Sequence, residues 1–337
     1  MGFANKTILV FLTIYSACSL ATDGDAIALI RHAKQVSDLR AESSSPFHLG
    51  IVFKRNGSLS EARADSPESG DGSFVETWVS PTEWRSDLVV AGFHRTQVAN
   101  GKKMWTLDAG NAELLDNIEN IGFFLNHGRY DGEEWKSAKI QDRVINEIPV
   151  RCLQPKADAR GGKSTLCFYR STGELAVAVF PKYTSNRVVD HTCVYSDYQP
   201  FTNKTFPRSI RCFVDKKLIL EETVAILDTV SSPDPGLFRP LTGGEESVNC
   251  LAAIMPPKVI DAPDPRDYGR VTNTTTLFRV TVGTDGTVTD VKLIRSGGQK
   301  LDEATRQAVA KWRFRPASCG DELVEAPINI EISNRTR

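Results

Sequence analysis

Residues 277–295 read LFRVTVGTDGTVTDVKLIR, and this stretch decides the fold of the last part of the chain. Apolar and polar residues alternate from Leu277 to Val282, which predicts a strand with one buried face. The turn Gly283-Thr284-Asp285-Gly286 follows, and its glycines tolerate the positive φ that a tight hairpin needs. An apolar pattern resumes at Val288, so we expect two antiparallel strands here.

The residues after this hairpin predict one helix and one further strand. Beyond the Ser296-Gly297-Gly298 break, apolar residues recur at spacings of three and four, which places them on one stripe of a helix that Pro316 ends. Asp302 lies in the first turn, where the helix dipole favours a negative charge. Alternation from Leu323 to Ile332 predicts a last strand, so the order is β-β-α-β. The helical stripe consists of Leu301, Ala304, Ala308 and Trp312.

Several short motifs in this region follow one another in a specific order and spacing. They are Pro256-Pro257-Lys258, Gly283-x-Asp285-Gly286-x-Val288-x-x-Val291, Arg295-Ser296-Gly297, Leu301-Asp302-x-Ala304 and Trp312-Arg313-Phe314-x-Pro316-Ala317. With these motifs, residues 255–333 resemble the TonB C-terminal domain family. The resemblance implies a small domain that binds an extended partner peptide by strand addition, in a TonB-type transmembrane transport system.

The resemblance also implies where a partner would bind. The exposed edge is expected on the last strand, and the partner is expected to be a protein segment, such as one from an outer-membrane receptor. Two alternatives remain open: this strand closes the core of its own domain, or it pairs with a second copy to form a homodimer. Trp312 is assigned to packing. The predicted edge residues are Ile328, Asn329, Ile330, Glu331 and Ile332.

The first 21 residues have the pattern of a secretory signal peptide. Lys6 precedes an apolar run from Thr7 to Leu20, and small residues stand before a cleavage point after Ala21. The run is shorter than the ~20 apolar residues of a membrane span, so a retained anchor is the weaker alternative. Lipidation at Cys18 is a further one. We therefore expect export to the periplasm or cell envelope.

The cysteine count agrees with an oxidising compartment. Six cysteines follow the signal segment and no pair has C-x-x-C spacing, which favours disulfides over zinc or redox chemistry. Two pairs flank turn-rich stretches and can meet on neighbouring strands, which leaves the third pair; two unpaired thiols are the alternative for that last pair. The expected pairs are Cys152 with Cys167, Cys193 with Cys212, and Cys250 with Cys319.

Length and composition predict two folded domains. We place an exported α+β domain at 22–230, a linker at 231–254, where apolar periodicity lapses, and the TonB-like domain at 255–333. The formal net charge is −1, so no strong field attracts a polyanion, and nucleic acid is not an expected partner.

The N-terminal domain is predicted to be mainly antiparallel sheet. A helix from Asp25 to Leu39 precedes ten strands between His48 and Leu227, including Trp84 to Phe93 and Gln141 to Cys152, and a second helix is expected at Ala112 to Leu125. This pattern, with Phe74-Val75-Glu76-x-Trp78 and Pro81-x-x-Trp84-Arg85, resembles the outer-membrane lipoprotein carrier (LolA/LolB-like) group. The resemblance implies a curved half-barrel-like sheet around a lipid cavity, although a filled core is the alternative that we favour. The cavity candidates are Phe93, Trp105, Phe123 and Phe124.

Catalytic motifs are poor, so the chain is not expected to be an enzyme. Gly161-Gly162-Lys163-Ser164 resembles the end of a phosphate-binding loop, but Ala157 stands where the first glycine belongs, and a hairpin turn is the better interpretation. The five histidines show no metal-ligand spacing, and neither metal nor cofactor is expected. The acid pairs at 133–134 and 221–222 are interpreted as solvated charges in loops or at strand ends.

Two functions follow from these observations. The first is a cell-envelope transport adaptor whose C-terminal domain captures a partner peptide, while the N-terminal domain binds lipid or protein. The second is a periplasmic structural or binding module without energy transduction. Retention of residues 1–21 would favour the first, and a cleaved soluble product would favour the second.

Overall fold

The structure, a computed structural model, describes the larger part of the chain. The signal segment expected at 1–21, the helix expected at Ala112 to Leu125 and the cavity candidates Phe123 and Phe124 lie outside the described residues. The described ranges are 26–41, 43–56, 69–90, 92–110, 133–157, 161–183, 188–250, 254–265 and 274–334.

The described residues of the N-terminal part form one α-helix, two short 3-10 helices and thirteen strands. The helices are α1 (Ala26–Ser37), η1 (Glu133–Ser137) and η2 (Pro235–Phe238). The strands are β1 (Phe47–Asn56), β2 (Ser69–Ser80), β3 (Glu83–Val90), β4 (Phe93–Asn100), β5 (Lys103–Gly110), β6 (Lys139–Ile145), β7 (Ile148–Gln154), β8 (Thr165–Tyr169), β9 (Leu175–Tyr183), β10 (Val188–Phe201), β11 (Lys204–Val214), β12 (Lys217–Thr229) and β13 (Glu245–Val248).

All thirteen strands form one antiparallel sheet. Its order is β13-β5-β4-β3-β2-β1-β12-β11-β10-β9-β8-β7-β6, and the two outer strands do not pair with each other, so the sheet is open. Two expected strands are each divided by a turn. Gly92, with φ of 77°, separates β3 from β4, and Asn146 and Glu147, with φ of 49° and 67°, separate β6 from β7.

A single apolar cluster covers one face of this sheet. The stripe Ala26, Ile30 and Ala33 of α1 packs against side chains that reach across the sheet from Phe93 on β4 to Leu153 on β7. The predicted helix is therefore confirmed, with its apolar spacing turned toward the sheet. We call this covered side the core face and the opposite side the outer face.

The segment expected to be a linker has ordered structure of its own. Residues 230–241, which we call the strap, cross the outer face: the Val230 amide donates to the Pro46 carbonyl at 3.0 Å, and Phe238 is 2% exposed. Beyond the strap, β13 pairs with β5. Asn249 is also buried, and its side-chain amide donates to the carbonyls of Pro81 and Gly101 at 3.0 Å each.

The C-terminal part has the expected α+β character, with five short strands, β14, β15, β18, β19 and β20, outside its main sheet. Its main sheet has the order β17-β16-β21. The elements are β14 (Ile254–Met255), β15 (Lys258–Asp261), β16 (Thr274–Val282), β17 (Val288–Arg295), α2 (Gln299–Val309), β18 (Arg313–Arg315), β19 (Ala317–Cys319), β20 (Glu322–Val324) and β21 (Ala326–Asn334).

The end of the C-terminal helix α2 differs from the expectation. The helix α2 ends at Val309, not at Pro316, because residues 313–315 leave the helix and pair as β18 with β15. Ala304 is only half-buried, while Leu301 and Ala308 are buried as the stripe predicts. The last strand is likewise divided into β20 and β21.

Three disulfides are present, and their pairing is the one that strand adjacency favours. Cys152 lies opposite Cys167 in the β7–β8 ladder, and Cys193 lies opposite Cys212 in the β10–β11 ladder. The third bridge joins Cys250, directly after Asn249, to Cys319 on β19.

Candidate functional site

The strand β21 forms one border of the C-terminal sheet, as the sequence predicts. It pairs with β16 through nine consecutive residue pairs without a register shift. Among the described residues no strand pairs with its other side. A long, regular outer strand is a template for strand addition.

The alternation of the ladder shows which main-chain groups of β21 point away from the sheet. The Gly283 amide donates to the Thr287 carbonyl on the β17 side, at 2.8 Å. The neighbouring Val282 therefore directs its main-chain groups toward β21, where its partner is Ala326. It follows that alternate residues from Ala326 bond to β16, whereas Pro327, Asn329 and Glu331 direct their main-chain groups outward. Because Pro327 is one of the outward-directed residues, its missing N–H removes no hydrogen bond to β16.

The two faces of β21 are chemically different. Ile330 is 6% exposed in the apolar cluster of the domain, and Ile328 and Ile332 pack against that cluster while remaining partly exposed. On the other face, Glu331 forms an ion pair with Arg295 at 3.4 Å, across Leu277 of the central strand. An added strand would therefore meet an apolar face on one side and a charged face on the other.

The opposite border of this sheet, β17, is less regular. Its ladder with β16 shifts register twice, and in both places the extra residue, Thr289 or Ile294, lies in β17. The Val291 carbonyl also accepts a hydrogen bond from the Arg306 guanidinium at 2.9 Å. Bulges and occupied carbonyls both hinder pairing with another chain.

The strand β15 pairs with β18 in a separate two-stranded sheet, and its outer side is protected from pairing with another chain in a different way. This strand has four residues, its ladder is irregular at Ile260, and Pro256-Pro257 and Pro263 flank it. Short length, prolines and bulges are the features that protect sheet edges. Of β21, β17 and β15, the strand β21 is therefore the one best suited to accept an added strand.

Asp302 fixes the start of α2 to the central strand. Its carboxylate accepts hydrogen bonds from the Ser296 hydroxyl, from the Thr276 hydroxyl at 2.7 Å and from the Gly297 amide at 2.9 Å. Burial alone would raise the pKa of Asp302, but these hydrogen bonds outweigh it and lower the pKa. The sequence predicted a helix-dipole role, and the structure adds these three direct contacts.

The other motif residues position the hairpin against the residues after the helix. Gly286 has φ of 79°, and a Cβ there would lie 2.1 Å from the Phe314 carbonyl oxygen, so only glycine fits. Asp285 accepts hydrogen bonds from the Thr287 amide and hydroxyl, which lower its pKa. Trp312 belongs to the apolar cluster with Phe314, and its indole N–H donates to the Pro263 carbonyl at 3.1 Å.

Two of the four predicted cavity residues lie in the described part of the N-terminal domain. Phe93 is 3% exposed within the cluster, whereas Trp105 is half-buried and lies opposite Val98, on the outer face. A cavity beside the end of α1, lined by Leu39, Phe47 and Glu76 among others, measures about 20 Å³. Such a volume holds about one water molecule and no acyl chain.

One buried carboxyl group on this face was misassigned from the sequence. Glu222 was interpreted as a solvated charge, but it lies inside β12, 1% exposed, between Phe53 on β1 and Ile210 on β11. Among the described residues, neither carboxyl oxygen has a hydrogen-bond partner. Burial raises the pKa of Glu222 to about 8, so the folded protein holds it protonated at neutral pH.

The described residues lack two further kinds of site, a metal site and a membrane-spanning helix. Within the described ranges, no group of three or more His, Cys, Asp or Glu side chains could hold a metal ion. None of the described helices has both the length and the apolar character needed to span a membrane.

The C-terminal fold is a small α+β domain with a hairpin, a packed helix and a last strand at the border of its sheet. Residues 271–334 match the family described as Gram-negative bacterial TonB protein C-terminal. The match covers this domain and not the rest of the chain. The comparison with curated proteins gives no match.

Several solved structures resemble part of this chain. A LolA superfamily protein from Nitrosomonas europaea is 11% identical, with 64% of this chain and 98% of that chain covered and a TM-score of 0.37. A DUF1329 family protein from Desulfovibrio piger is 11% identical over the same shares, with a TM-score of 0.41. The LolA-like resemblance seen in the sequence thus recurs among structural neighbours, but at these TM-scores it supports no function.

Proposed function

We propose that this protein is a cell-envelope adaptor whose TonB-like domain captures an extended segment of a partner protein along β21. The observation that carries the proposal is the uninterrupted ladder between β16 and β21, which leaves a regular outer border of nine residues. The family match to residues 271–334 supports the same mode of recognition. We propose a binding role and assign no catalysis to the chain.

The proposed compartment is the periplasm. Three disulfides, two of them between directly opposed strand residues, suit an oxidising environment. An outer-membrane receptor with a periplasmic extension is the proposed partner class, and TonB-type transport is the proposed process.

Strand addition can be tested by blocking main-chain contacts without changing the sheet itself. Proline at Asn329 or Glu331 removes an outward-directed N–H and adds a ring at the border, whereas alanine at the same position keeps the N–H. Each lost main-chain hydrogen bond is worth about 1 kcal/mol, and the ring also hinders approach, so we expect at least about tenfold weaker binding.

The probes are synthetic peptides that tile the periplasmic segments of outer-membrane receptors from a Gram-negative bacterium, with binding followed by fluorescence anisotropy. Asn329→Pro and Glu331→Pro should lose the binding that Asn329→Ala and Glu331→Ala retain. Thermal unfolding followed by circular dichroism controls for folding. Equal binding by folded proline and alanine variants would contradict strand addition and leave the structural module as the better description.

The homodimer is a competing use of the same border. Sedimentation velocity of the unmodified chain distinguishes it, because a dimer formed through β21 would dissociate in the proline variants and persist in the alanine variants. A monomer at all concentrations would leave the border available for a partner of different sequence.

A further inference from the structure

The outer face of the N-terminal sheet contains a groove that lies beneath the strap. Its floor is formed by side chains that alternate with the buried ones: His48 on β1, Thr77 on β2, and Arg85 and Asp87 on β3. The cavity measures about 390 Å³, within the range of small-molecule sites. It is separate from the TonB-like domain and from the core face.

The strap supplies the apolar wall of the groove. Val230, Pro233 and Leu237 line it, and Val75 adds an apolar side chain from the floor. The strap is held at both ends, by the bond from Val230 to Pro46 and by the Asn100 amide, which donates to the Phe238 carbonyl at 3.2 Å. The wall is thus fixed in position before any ligand binds, which favours binding.

Asp87 is already saturated by neighbouring donors. It accepts from Arg85 Nε at 2.8 Å, from Arg85 Nη2 at 3.1 Å and from the Thr96 hydroxyl at 2.6 Å, and His94 Nε2 lies 3.4 Å away. Burial alone would raise the pKa of Asp87, but these hydrogen bonds outweigh burial and lower the pKa. The carboxylate therefore stays ionised, and Arg85 balances its charge. Asp87 therefore has little capacity left for a ligand cation.

The arrangement does not suit nucleophilic catalysis. A catalytic triad needs one histidine nitrogen hydrogen-bonded to the nucleophilic hydroxyl group and the other nitrogen hydrogen-bonded to the carboxylate. Here the Thr96 hydroxyl and the Asp87 carboxylate both lie near the same atom, His94 Nε2, at 3.3 and 3.4 Å. The cluster is therefore arranged to bind and not to activate a hydroxyl group.

The remaining polar capacity of the groove lies on Arg85 and His48. Arg85 uses Nε and Nη2 on Asp87, so both N–H groups of Nη1 are uncommitted among the described residues. His48 bonds to Thr77 through Nδ1 at 3.1 Å, which leaves Nε2 for a ligand. Two uncommitted polar groups on a nearly neutral floor, beside an apolar wall, suit a singly charged head group with a short apolar tail.

We propose that this groove binds a small monocarboxylate, whose carboxylate accepts hydrogen bonds from Arg85 Nη1 and His48 Nε2 and whose tail lies against Pro233 and Leu237. A multiply charged anion is disfavoured because Asp87 lies beside Arg85. This site is independent of peptide capture at β21.

The test uses hexanoate as the probe and 1-hexanol as its neutral counterpart, with the full chain and saturation-transfer NMR titration. Hexanoate should bind saturably in the millimolar range or tighter, and hexanol should bind about tenfold more weakly because it offers no charged acceptor. Arg85→Leu should weaken hexanoate binding by about tenfold or more.

Arg95→Leu is the matched control. Arg95 makes the same two-bond ion pair, with Asp108 at 2.7 and 2.9 Å, but from the core face of the adjacent strand. It should leave hexanoate binding unchanged. A second variant, Leu237→Trp, fills the groove from the strap and should abolish binding without touching the polar floor.

Three results would overturn the proposal: no saturable binding of hexanoate, equal binding by folded Arg85→Leu, or equal binding of hexanol and hexanoate. If Arg85→Leu fails to fold, Leu237→Trp decides, because binding that survives a filled groove takes place elsewhere.

Discussion

Replacement of the buried Glu222 by glutamine should stabilise the N-terminal domain, and the gain should grow with pH. In the folded chain this carboxyl group is 1% exposed without a hydrogen-bond partner, and its pKa is raised from 4.5 to about 8. The folded state therefore holds the proton more tightly than the unfolded state does. The contribution of Glu222 to folding stability is therefore largest below about pH 4.5, falls as pH rises from 4.5 to about 8, and is constant beyond.

The size of the effect follows from the same pKa shift. One pKa unit corresponds to 1.36 kcal/mol, so ionisation of Glu222 in the unfolded chain costs folding about 3 kcal/mol at pH 7 and about 5 kcal/mol above pH 8. Glutamine has the same shape and never ionises, so Glu222→Gln should recover about these amounts and show no gain at pH 4.

Urea unfolding at pH 4, 7 and 9, with the disulfides intact and tryptophan fluorescence as the signal, measures this gain. Glu221→Gln is the matched control, because the neighbouring Glu221 is 43% exposed and its ion pair with Arg211, at 3.4 Å, is a surface one. Its replacement should change stability by less than about 1 kcal/mol at any of these pH values. If Glu222→Gln and the unmodified chain show parallel stability curves from pH 4 to pH 9, the carboxyl group is solvated in solution and the reasoning is wrong.

Three further changes test the C-terminal domain. Asp302→Ala removes the acceptor of three hydrogen bonds and should lower the free energy of unfolding by about 3 kcal/mol in urea at pH 7. Because the pKa of Asp302 is lowered in the folded state, this stabilisation should disappear in the unmodified chain as pH falls below about 4. Trp312→Phe loses the bond to the Pro263 carbonyl and part of its buried ring, and should lower the unfolding free energy by about 1–2 kcal/mol in the same assay. The double change Cys250→Ser and Cys319→Ser opens a loop of 69 positions and should cost about 4 kcal/mol, read from the thermal midpoint of the domain.

The sequence predicted the C-terminal sheet and helix well because their signals are local. Alternation between Leu277 and Val282 and the turn at Gly283 to Gly286 appear in the structure as β16 and the hairpin. The end of the helix was placed too late because Trp312 continues the apolar spacing beyond Val309. What ends the helix is the pairing of residues 313–315 with 258–261, and a contact between distant segments has no signature in a periodic pattern.

The N-terminal sheet shows a second limit of local patterns. Asn146 and Glu147 form a turn with positive φ, but neither is glycine, so residues from Gln141 to Cys152 were expected to be one strand. Without the register of the sheet, moreover, the outward positions of His48 and Arg85 on separate strands could not be brought together as one groove. Their alternation with buried neighbours was the available signal.

The burial of Glu222 was missed for a related reason. An acid pair in a sequence is usually solvated, and only the position of β12 between β1 and β11 turns one member of the pair toward the apolar core face. Alternation correctly predicted a strand at β21, and its role as the partner-binding border stays a prediction.

The bridge between Cys250 and Cys319 closes a covalent ring that contains the hairpin and the helix of the C-terminal domain. A protease that cuts the chain once inside this ring produces two fragments that remain joined until a reductant is added. Residues 320–334, which include β21, lie outside the ring but follow directly from Cys319, so a nicked molecule would keep its last strand attached to the rest of the protein.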